Sequence, residues 1–303
     1  MATYKTSNVP DMTGRTVLVT GANSGIGFAT AQALAARGAR VVLAVRDVRK
    51  GARAAERIGG RTEVRRLDLA DLASIRAFAA EWDAPIDVLI NNAGISSSTL
   101  QRTADGFELQ LGTNHLGPFA LTNLLLPQIS GRVVSVSSQA ERAARLNMDD
   151  LNFARTPYKE SRAYAASKLA NLLFITELQR RLSTAGSRVI AVAAHPGFVS
   201  TSIYDQTTGM IPRLAVRLMA QNADEGALPV LYAATADLPG DSFTGPEHAM
   251  HMRGGAELIG RSKQAKDAGL ARRLWAASEQ LTGVPFGLDT PSEHPISGLD
   301  RSS

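Results

Sequence analysis

The chain has 303 residues, 44% of them apolar, which is enough for a complete hydrophobic core in one large domain. Its 33 Lys and Arg residues exceed its 28 acidic residues and give a net charge of +5, but they are scattered, without the dense run or aromatic interleaving of a nucleic-acid-binding protein. With no cysteine, disulfide frameworks and thiolate metal sites are excluded.

Residues 1–13 are polar and contain no apolar segment, so we interpret them as an N-terminal extension. No run along the chain reaches the ~18 apolar residues that a membrane-spanning helix needs. The lack of cysteine fits a reducing compartment. Composition therefore predicts a cytoplasmic protein without a membrane partner, and the sequence shows no internal repeat, linker or metal-spaced cluster.

The first predicted strand, residues 17–19, leads through a glycine-rich turn into an Ala-rich helix at residues 28–37. This order is typical of a phosphate cradle, because the N–H groups at a helix N-terminus attract anions. Gly21 permits a tight turn, Gly25 permits close approach of a pyrophosphate, and Gly27 lets the helix lie against the strand. The spacing is G-x-x-x-G-x-G, so an ordinary strand-to-helix turn stays open as the alternative.

The second predicted strand, residues 40–45, ends at Arg46 and Asp47. The side chain at this strand end selects the cofactor, because an acidic group binds the 2′-hydroxyl of NAD whereas a guanidinium grips the 2′-phosphate of NADP. Arg46 therefore favours NADP(H). The alternative is that Arg46 is a solvated surface cation and Asp47 turns inward.

The third predicted strand, residues 63–67, ends at Asp68 and Leu69. Asp68 is well placed to contact an adenine amine. The equally plain alternative is that Asp68 caps the helix that begins near residue 72.

The fourth predicted strand, residues 87–90, runs into Asn91, Asn92, Ala93 and Gly94. Small residues and amides directly after a buried strand allow a ligand to approach the backbone closely. A simple turn is the alternative.

A long helix is predicted at residues 106–126, with Asn114 at its middle. Asn is a poor residue for a helix interior, which indicates a bend or a water-binding role. The fifth strand, residues 132–136, ends in Ser137 and Ser138. Hydroxyls at the carboxyl end of a central strand face the crevice in which α/β sheets bind ligands.

Residues 139–161 are polar and precede a helix that carries Tyr164 and Lys168. Residues four apart lie on one helical face, so the ammonium can lie near the phenol and favour the phenolate. A phenol tuned in this way can act as acid or base near neutral pH. A Y-x-x-x-K pair is often structural, so the pair alone decides nothing.

The sixth strand, residues 188–194, ends in His195, Pro196 and Gly197. His195 has no second ligand or carboxylate nearby in sequence, so we interpret it as structural. Residues 198–221 mix apolar and polar side chains and suit a mobile lid. The last predicted elements are a helix at 222–235, a short strand at 241–246, a helix at 265–281 and a flexible tail at 284–303.

Jointly and in this order, the motifs resemble those of the short-chain dehydrogenase/reductase superfamily over residues 14–283. They are residues 20–27, residues 91–94, Ser138, Tyr164 with Lys168, and Pro196 with Gly197.

The finer pattern resembles the retinol-dehydrogenase-like branch, which includes protochlorophyllide-reductase-like proteins and is mostly NADP-dependent. Membrane-bound retinol dehydrogenases carry a hydrophobic N-terminal anchor that residues 1–13 do not resemble, so a retinoid substrate is not implied. The finer pattern comprises residues 22–27, 46–47, 113–117, 167–171 and 195–197, and a long spacer between Ser138 and Tyr164.

The resemblance implies one α/β domain at residues 14–283, a Rossmann-type doubly wound parallel sheet of about seven strands with helices on both faces. It implies that Tyr164 exchanges a proton with the substrate oxygen and that Ser138 hydrogen-bonds this oxygen. Lys168 would hold the nicotinamide ribose and favour the Tyr164 phenolate, and Asn114 would position a water of the proton relay. The implied substrate contacts are Ser138, Gln139, Tyr164 and Phe198. The implied cofactor contacts are Gly21, Asn23, Ser24, Gly25, Ile26, Gly27, Arg46, Asp68, Leu69, Asn92, Ala93, Gly94, Tyr164, Lys168, Pro196, Gly197, Val199 and Thr201.

We expect an NADP(H)-dependent oxidoreductase that interconverts a carbonyl and an alcohol on a lipophilic small molecule. Apolar residues of the lid, with Ile95, Gln139, Phe153 and Phe198, would wall its pocket, unless the lid residues simply cover a helix packed on the sheet. A C=C reductase and a nucleotide-sensing interaction protein that lacks turnover are the alternatives. The complete Asn, Ser, Tyr and Lys set favours an enzyme. The oligomeric state stays open, a homo-oligomer included.

Overall fold

A central sheet with the strand order β3-β2-β1-β4-β5-β6-β7-β8 positions every other element of the fold. All neighbouring strands pair in parallel except the antiparallel pair of β7 and β8. The computed structural model describes residues 3–198 and 222–288. The strands are β1 (Thr16–Thr20), β2 (Arg40–Val45), β3 (Arg61–Arg66), β4 (Ile86–Asn91), β5 (Ile129–Val136), β6 (Ile190–Ala194), β7 (Phe243–Gly245) and β8 (Glu257–Leu258).

Helices cover both faces of this sheet and bury its central strands. In β1, Leu18 packs into the layer formed by α3, α5, α6 and α8, whereas Val17 and Val19 pack against α1, α2 and α7. None of the described helices is both long and apolar enough to cross a membrane. The helices are α1 (Gly25–Ala36), α2 (Val48–Ile58), α3 (Leu72–Ala80), α4 (Leu109–Leu111), α5 (Gly117–Leu125), α6 (Glu160–Thr184), α7 (Ala223–Thr235) and α8 (Ala268–Thr282).

Several helices begin at a polar side chain that accepts hydrogen bonds from N–H groups of the first turn, which satisfies donors that have no intrahelical partner. The capping residues are Asp47 of α2, Asp71 of α3, Asn222 of α7 and Asp267 of α8.

The predicted doubly wound parallel fold is confirmed, with eight strands in place of about seven. The additional strand, β8, has two residues and pairs with β7 through Thr244 and Leu258. A strand of this length is too short to show an apolar period. The other predicted strands, and the predicted helices outside 106–126, begin and end within three residues of the observed ones.

The long helix predicted at residues 106–126 is wrong, because α4 and α5 are separated by a π-helical segment, Gly112–Leu116. Pro118 stands in the first turn of α5 and has no N–H for the preceding turn. A Cβ at Gly117 would lie 2.3 Å from the Leu69 carbonyl oxygen, so the chain passes very close to the end of β3 here. The irregular segment is where Asn114 leaves the regular helix.

Both chain ends, as far as they are described, pack on the domain. The N-terminal extension buries Val9, and the Tyr4 hydroxyl lies 2.9 Å from Thr235 Oγ1 on α7. The flexible tail predicted from residue 284 is wrong for residues 284–288, because Val284 and Phe286 are each only 2% exposed. Residues 289–303 lie outside the described residues.

Phe286 completes an aromatic cluster that spans α5, α6 and α8. Its ring centroid lies 5.9 Å from that of Trp275, which in turn packs at 4.9 Å against Phe119 of α5 and at 5.8 Å against Phe174 of α6. This apolar surface is the physical reason why the chain stays packed after α8 ends.

Phe286→Ala should therefore lower the free energy of unfolding by about 3–5 kcal/mol, the usual cost of emptying a buried phenylalanine site. Urea unfolding measures this value. Leu288→Ala is the matched control, because Leu288 is 37% exposed and its truncation should cost about 0.5 kcal/mol or less. Equal effects of the two substitutions would contradict the packing of the tail.

Candidate active site

A cavity of about 360 Å³ opens at the carboxyl ends of the central strands, between β1 and β4, where the strand order reverses. Such a crevice is where open α/β sheets bind ligands. The predicted residues that line it are Gly21, Asn23, Ser24, Gly25, Ile26, Gly27, Arg46, Asp68, Leu69, Asn92, Ala93, Gly94, Ser138, Tyr164, Lys168, Pro196 and Gly197.

The glycine turn between β1 and α1 forms one end of the cavity. Gly21 has a φ of +67° and Gly25 a φ of +55°, which is left-handed backbone that favours glycine. A Cβ at Gly27 would lie 2.4 Å from Asn92 Nδ2 and 2.6 Å from the Gly21 carbonyl oxygen, so only glycine lets α1 approach this closely. Within the described residues, the Ser24 side chain does not cap α1. The first-turn N–H groups of α1 are therefore suited to an anion, and the cradle fits the pyrophosphate of a dinucleotide.

The hydroxyl of Thr20 joins the glycine turn to the loop after β4. Thr20 Oγ1 accepts hydrogen bonds from the main-chain N–H groups of Asn92 and Ala93, both at 3.0 Å. Asn92 Nδ2 donates to the Thr20 carbonyl oxygen at 2.9 Å. Sequence reasoning included Thr20 in the glycine-rich motif but gave its side chain no role, although its place at the end of a central strand is the same signal that pointed to Ser138.

Arg46 lies exposed at the rim of the cavity and makes no ion pair within the described residues. Asp47 does not turn inward, because its Oδ1 accepts from the N–H groups of Arg49 and Lys50 at 3.0 Å and caps α2. These donors, with that of Lys50 the strongest, hold the pKa of Asp47 below its usual value. The structure therefore contradicts the part of the alternative in which Asp47 turns inward.

Asp68 also lies at the cavity, and it does not cap the following helix. Its Oδ1 accepts a hydrogen bond from Ala70 N at 3.0 Å. The cap of α3 is Asp71, which accepts from Ala73 N at 2.9 Å and from Ser74 N at 3.3 Å. Asp68 Oδ2 accepts no hydrogen bond from the described residues and can accept one from a ligand such as an amine.

Tyr164 and Lys168 stand one turn apart on α6 and both line the cavity. Lys168 Nζ lies 5.6 Å from the centroid of the Tyr164 ring and donates to the Val136 carbonyl oxygen at 3.1 Å. The Lys168 side chain is buried, and burial lowers its pKa to about 8. A Cβ at Gly94 would lie 3.2 Å from Nζ, so glycine leaves the space that this ammonium needs.

Ser138 lines the same cavity from the end of β5. Its Oγ accepts a hydrogen bond from Ala140 N at 3.2 Å and caps a short 3-10 turn, Gln139–Ala143. This contact uses an acceptor lone pair and leaves the hydroxyl proton for donation.

Asn114 does not line the cavity but lies behind its wall. Asn114 Oδ1 accepts from Ile95 N at 2.8 Å, and its Nδ2 donates to the Ile95 carbonyl oxygen and to Ser167 Oγ, both at 3.0 Å. The amide thus joins the loop after β4 to α6. Its role in positioning a water stays a prediction.

The remaining predicted residues lie apart from this cavity or outside the described chain. Gln139, Phe153 and Phe198 do not line it, and Phe153 lines a separate small cavity beside Asp150. Val199, Thr201 and all of the lid predicted at 198–221 except Phe198 lie outside the described residues. Ser137, whose hydroxyl was expected to face the crevice, lines the cavity, as do Val136 and Thr113, to which sequence reasoning gave no role.

Comparison with known proteins identifies the family. Residues 15–210 match the sequence model of the family described as short chain dehydrogenase. The chain belongs to the short-chain dehydrogenase/reductase superfamily. It is 41% identical to retinol dehydrogenase 13 of Homo sapiens over 93% of this chain and 88% of that protein. It is 40% identical to retinol dehydrogenase 11 of Mus musculus over 92% of this chain and 90% of that protein.

A solved structure extends the similarity to the whole fold. An uncharacterized protein from Mycobacterium paratuberculosis is 51% identical and superposes with a TM-score of 0.84, covering 94% of this chain and 99% of that one. The relatives place the chain in the retinol-dehydrogenase-like branch, and the superfamily assigns it to the oxidoreductases that use a nicotinamide cofactor. Among the described residues, no group of three or more His, Asp and Glu side chains is arranged to hold a metal ion.

Burial of Lys168 predicts a pH-dependent stability. A lysine whose pKa is about 8 when folded and 10.5 when unfolded loses its proton first in the folded protein. The unfolded chain then binds more protons between these two values, so the Lys168 contribution to the free energy of unfolding rises with pH across this window by on the order of 3 kcal/mol.

Lys168→Met removes this contribution. The variant should therefore gain stability relative to the parent at pH 7, and the gain should shrink as the pH rises through 8 toward 10.5. Urea unfolding of both proteins at several pH values measures the difference, and a difference that stays constant across the window would contradict a buried lysine with this pKa.

Proposed function

We propose that the protein is an NADP(H)-dependent oxidoreductase that interconverts a carbonyl and an alcohol on a lipophilic small molecule. The observation that carries this proposal is the convergence of the Ser138 hydroxyl, the Tyr164 phenol and the buried Lys168 ammonium on one cavity, whose other end is the glycine cradle of α1. A proton donor, a hydrogen-bond donor and a cation at one point suit the polarisation of a carbonyl oxygen.

The two ends of the cavity would bind different parts of a dinucleotide. The N–H groups of α1 would hold the pyrophosphate, Asp68 would meet the adenine, and Lys168 would meet the nicotinamide ribose. When bound, the nicotinamide supplies or accepts the hydride. The remaining task of the protein is to hold the substrate carbon next to it and to manage the charge on the substrate oxygen.

Tyr164 would move the proton on that oxygen. In the reductive direction its phenol donates the proton, and in the oxidative direction the phenolate takes it back. Ser138 donates a second hydrogen bond to the same oxygen. Lys168, with its ammonium near the phenol ring, favours the phenolate electrostatically.

The choice of NADP(H) rests on Arg46. Its guanidinium is exposed at the rim of the cavity and is not used by an ion pair in the described part of the chain, while Asp47 is occupied as the cap of α2. A planar guanidinium forms a two-pronged, charge-assisted contact with a phosphate. The 2′-phosphate of NADP would give Arg46 this partner.

The substrate class rests on the relatives and on the reaction that the site suits. Two of the similar proteins are named retinol dehydrogenases, and retinol is an alcohol on a lipophilic molecule. A lipophilic alcohol, aldehyde or ketone is accordingly the class that we propose. The panel of aldehydes, ketones and secondary alcohols that tests turnover below also serves to determine the direction and stereochemistry of the reaction.

Arg46→Asp tests the cofactor assignment. The substitution removes the phosphate contact and adds a repelling charge, so the affinity for NADPH should fall by on the order of 2 kcal/mol, about 30-fold, with little change for NADH. Fluorescence titration with both cofactors measures this. Arg53→Asp on α2 reverses an exposed charge away from the cavity lining and should leave the NADPH affinity nearly unchanged. Parent kinetics that are equal with both cofactors would show that Arg46 does not select.

Tyr164→Phe tests the reaction. The variant keeps the ring and lacks the transferable proton, so turnover should fall at least about 100-fold while NADPH binding changes little. Nicotinamide absorbance with a panel of aldehydes, ketones and secondary alcohols provides the assay.

Tyr158→Phe is the matched control, because the Tyr158 hydroxyl donates to the Ser97 carbonyl oxygen at 2.8 Å and does not line the cavity. Its turnover should stay at the parent level. Substantial turnover of the Tyr164→Phe variant would mean that another group carries the proton. A parent that binds NADPH and turns over no member of the panel would favour a sensor.

A further inference from the structure

His195 directly precedes Pro196 and Gly197, which line the cavity, and it has no part in the mechanism above. Its side chain is buried, and its Nδ1 accepts a hydrogen bond from Gly197 N at 3.4 Å. An acceptor Nδ1 means that the neutral ring carries its proton on Nε2. Burial lowers the pKa of His195 to about 3, so the ring stays neutral and is a poor proton acceptor near neutral pH.

The turn that His195 contacts forms part of the cavity wall. Pro196 and Gly197 line the cavity, and Gly197 has a φ of +79°. Pro196 has no N–H group. The next two N–H groups bond to different parts of the chain, that of Gly197 to the His195 ring and that of Phe198 to the Met252 carbonyl oxygen at 3.0 Å.

The loop that supplies Met252 has an unusual backbone. Ala249, Met250 and His251 follow one another with φ values of 52°, 55° and 63°, which is left-handed conformation that a Cβ disfavours. The turn is closed by Met252 N, which donates to the His248 carbonyl oxygen at 3.1 Å, and by His251 Nδ1, which lies 2.9 Å from the Pro246 carbonyl oxygen. Strained backbone of this kind persists only where its surroundings fix it, and it is frequent at ligand sites.

His195 is the side chain placed between these two turns. Its Nε2 is buried and makes no hydrogen bond of normal geometry within residues 3–198 and 222–288. The Phe198 N–H bond to the Met252 carbonyl oxygen brings the turn after His195 against the left-handed turn, and the main chain of His251 lies within reach of the His195 ring. The Nδ1 edge of the imidazole thus meets the cavity wall at Gly197, and the ring adjoins the strained turn.

We propose that His195 is a positioning residue that holds the Pro196–Gly197 turn against the left-handed turn at 249–251 and so fixes the cavity wall on the nicotinamide side. This assignment of the wall rests on the proposed function. The main-chain geometry that His195 imposes exists in the protein without cofactor and can be measured there.

Two substitutions separate the two contacts. His195→Asn keeps an oxygen that can accept from the N–H two residues on, as in an Asx turn, but it loses the ring beside residues 249–251. His195→Phe keeps a ring and loses the acceptor. The matched control is His115→Phe, because His115 is an equally buried neutral imidazole whose Nε2 lies 2.9 Å from Ser278 Oγ, and it does not line the cavity.

Site-resolved amide hydrogen exchange on the cofactor-free proteins tests the proposal. His195→Phe should speed exchange at Gly197 about five- to tenfold, the loss expected for one hydrogen bond, and should leave Met252 near the parent rate. His195→Asn should speed exchange at Met252 and should leave Gly197 near the parent rate. His115→Phe should change neither amide relative to the rest of the domain. The proposal would be overturned if Gly197 exchanged at the parent rate in His195→Phe. It would also be overturned if the two variants changed the exchange rates of Gly197 and Met252 equally.

NADPH titration and a pH profile complete the test. His195→Phe should weaken NADPH binding about five- to tenfold, and His195→Asn should restore most of it. The pH dependence of turnover should be unchanged in both. Loss of an ionisation from this profile would show that His195 transfers protons and would overturn the positioning role. A parent that binds no NADPH would refute the proposed function, while the exchange result would still decide the role of His195.

Discussion

The attachment of α6 to the carboxyl end of β5 is the constraint on which the rest of the site depends. The Val136 carbonyl oxygen accepts hydrogen bonds from Lys168 Nζ and from Asn171 Nδ2, both at 3.1 Å. Ser137 Oγ closes the contact from the other side by donating to the Lys168 carbonyl oxygen at 2.7 Å. An ammonium can be buried only where such partners replace water. This attachment therefore fixes the position of the Lys168 charge and its electrostatic effect on the Tyr164 phenol.

The other walls of the cavity are arranged around this attachment by contacts that tolerate little change in size. Gly94 leaves space for the Lys168 ammonium, and Gly27 leaves space for the Asn92 amide between α1 and β4. Asn114 carries the connection onward, because its amide bonds both to the main chain of Ile95 and to Ser167 on α6. Glycines and amides thus fix the relative positions of the walls of this site, as apolar side chains do in the core. A substitution at one of them shifts a wall of the cavity.

Much of this arrangement could be predicted from the sequence because parallel strands bring their carboxyl ends to one edge. Arg46, Asp68 and Ser138 each follow a predicted strand, and the structure places all three at the same cavity. The features that could not be predicted depend on contacts between distant segments. The π-helical segment around Asn114 forms where that side chain contacts Ile95. Phe286 stays packed because its ring contacts Trp275. Neither contact can be inferred from the residues next to Asn114 or Phe286 in the sequence.

The packing of Phe286 also bears on how the protein is made. The aromatic cluster of Phe119, Phe174 and Trp275 lies on the helices that support Tyr164 and Lys168, and Phe286 closes it from the segment that follows α8. A chain emerging from the ribosome cannot complete this cluster until Phe286 has been synthesised, well after α5 and α6. Until then the supporting helices expose part of their aromatic surface, so the synthesis of the segment after α8 governs when the site becomes stable.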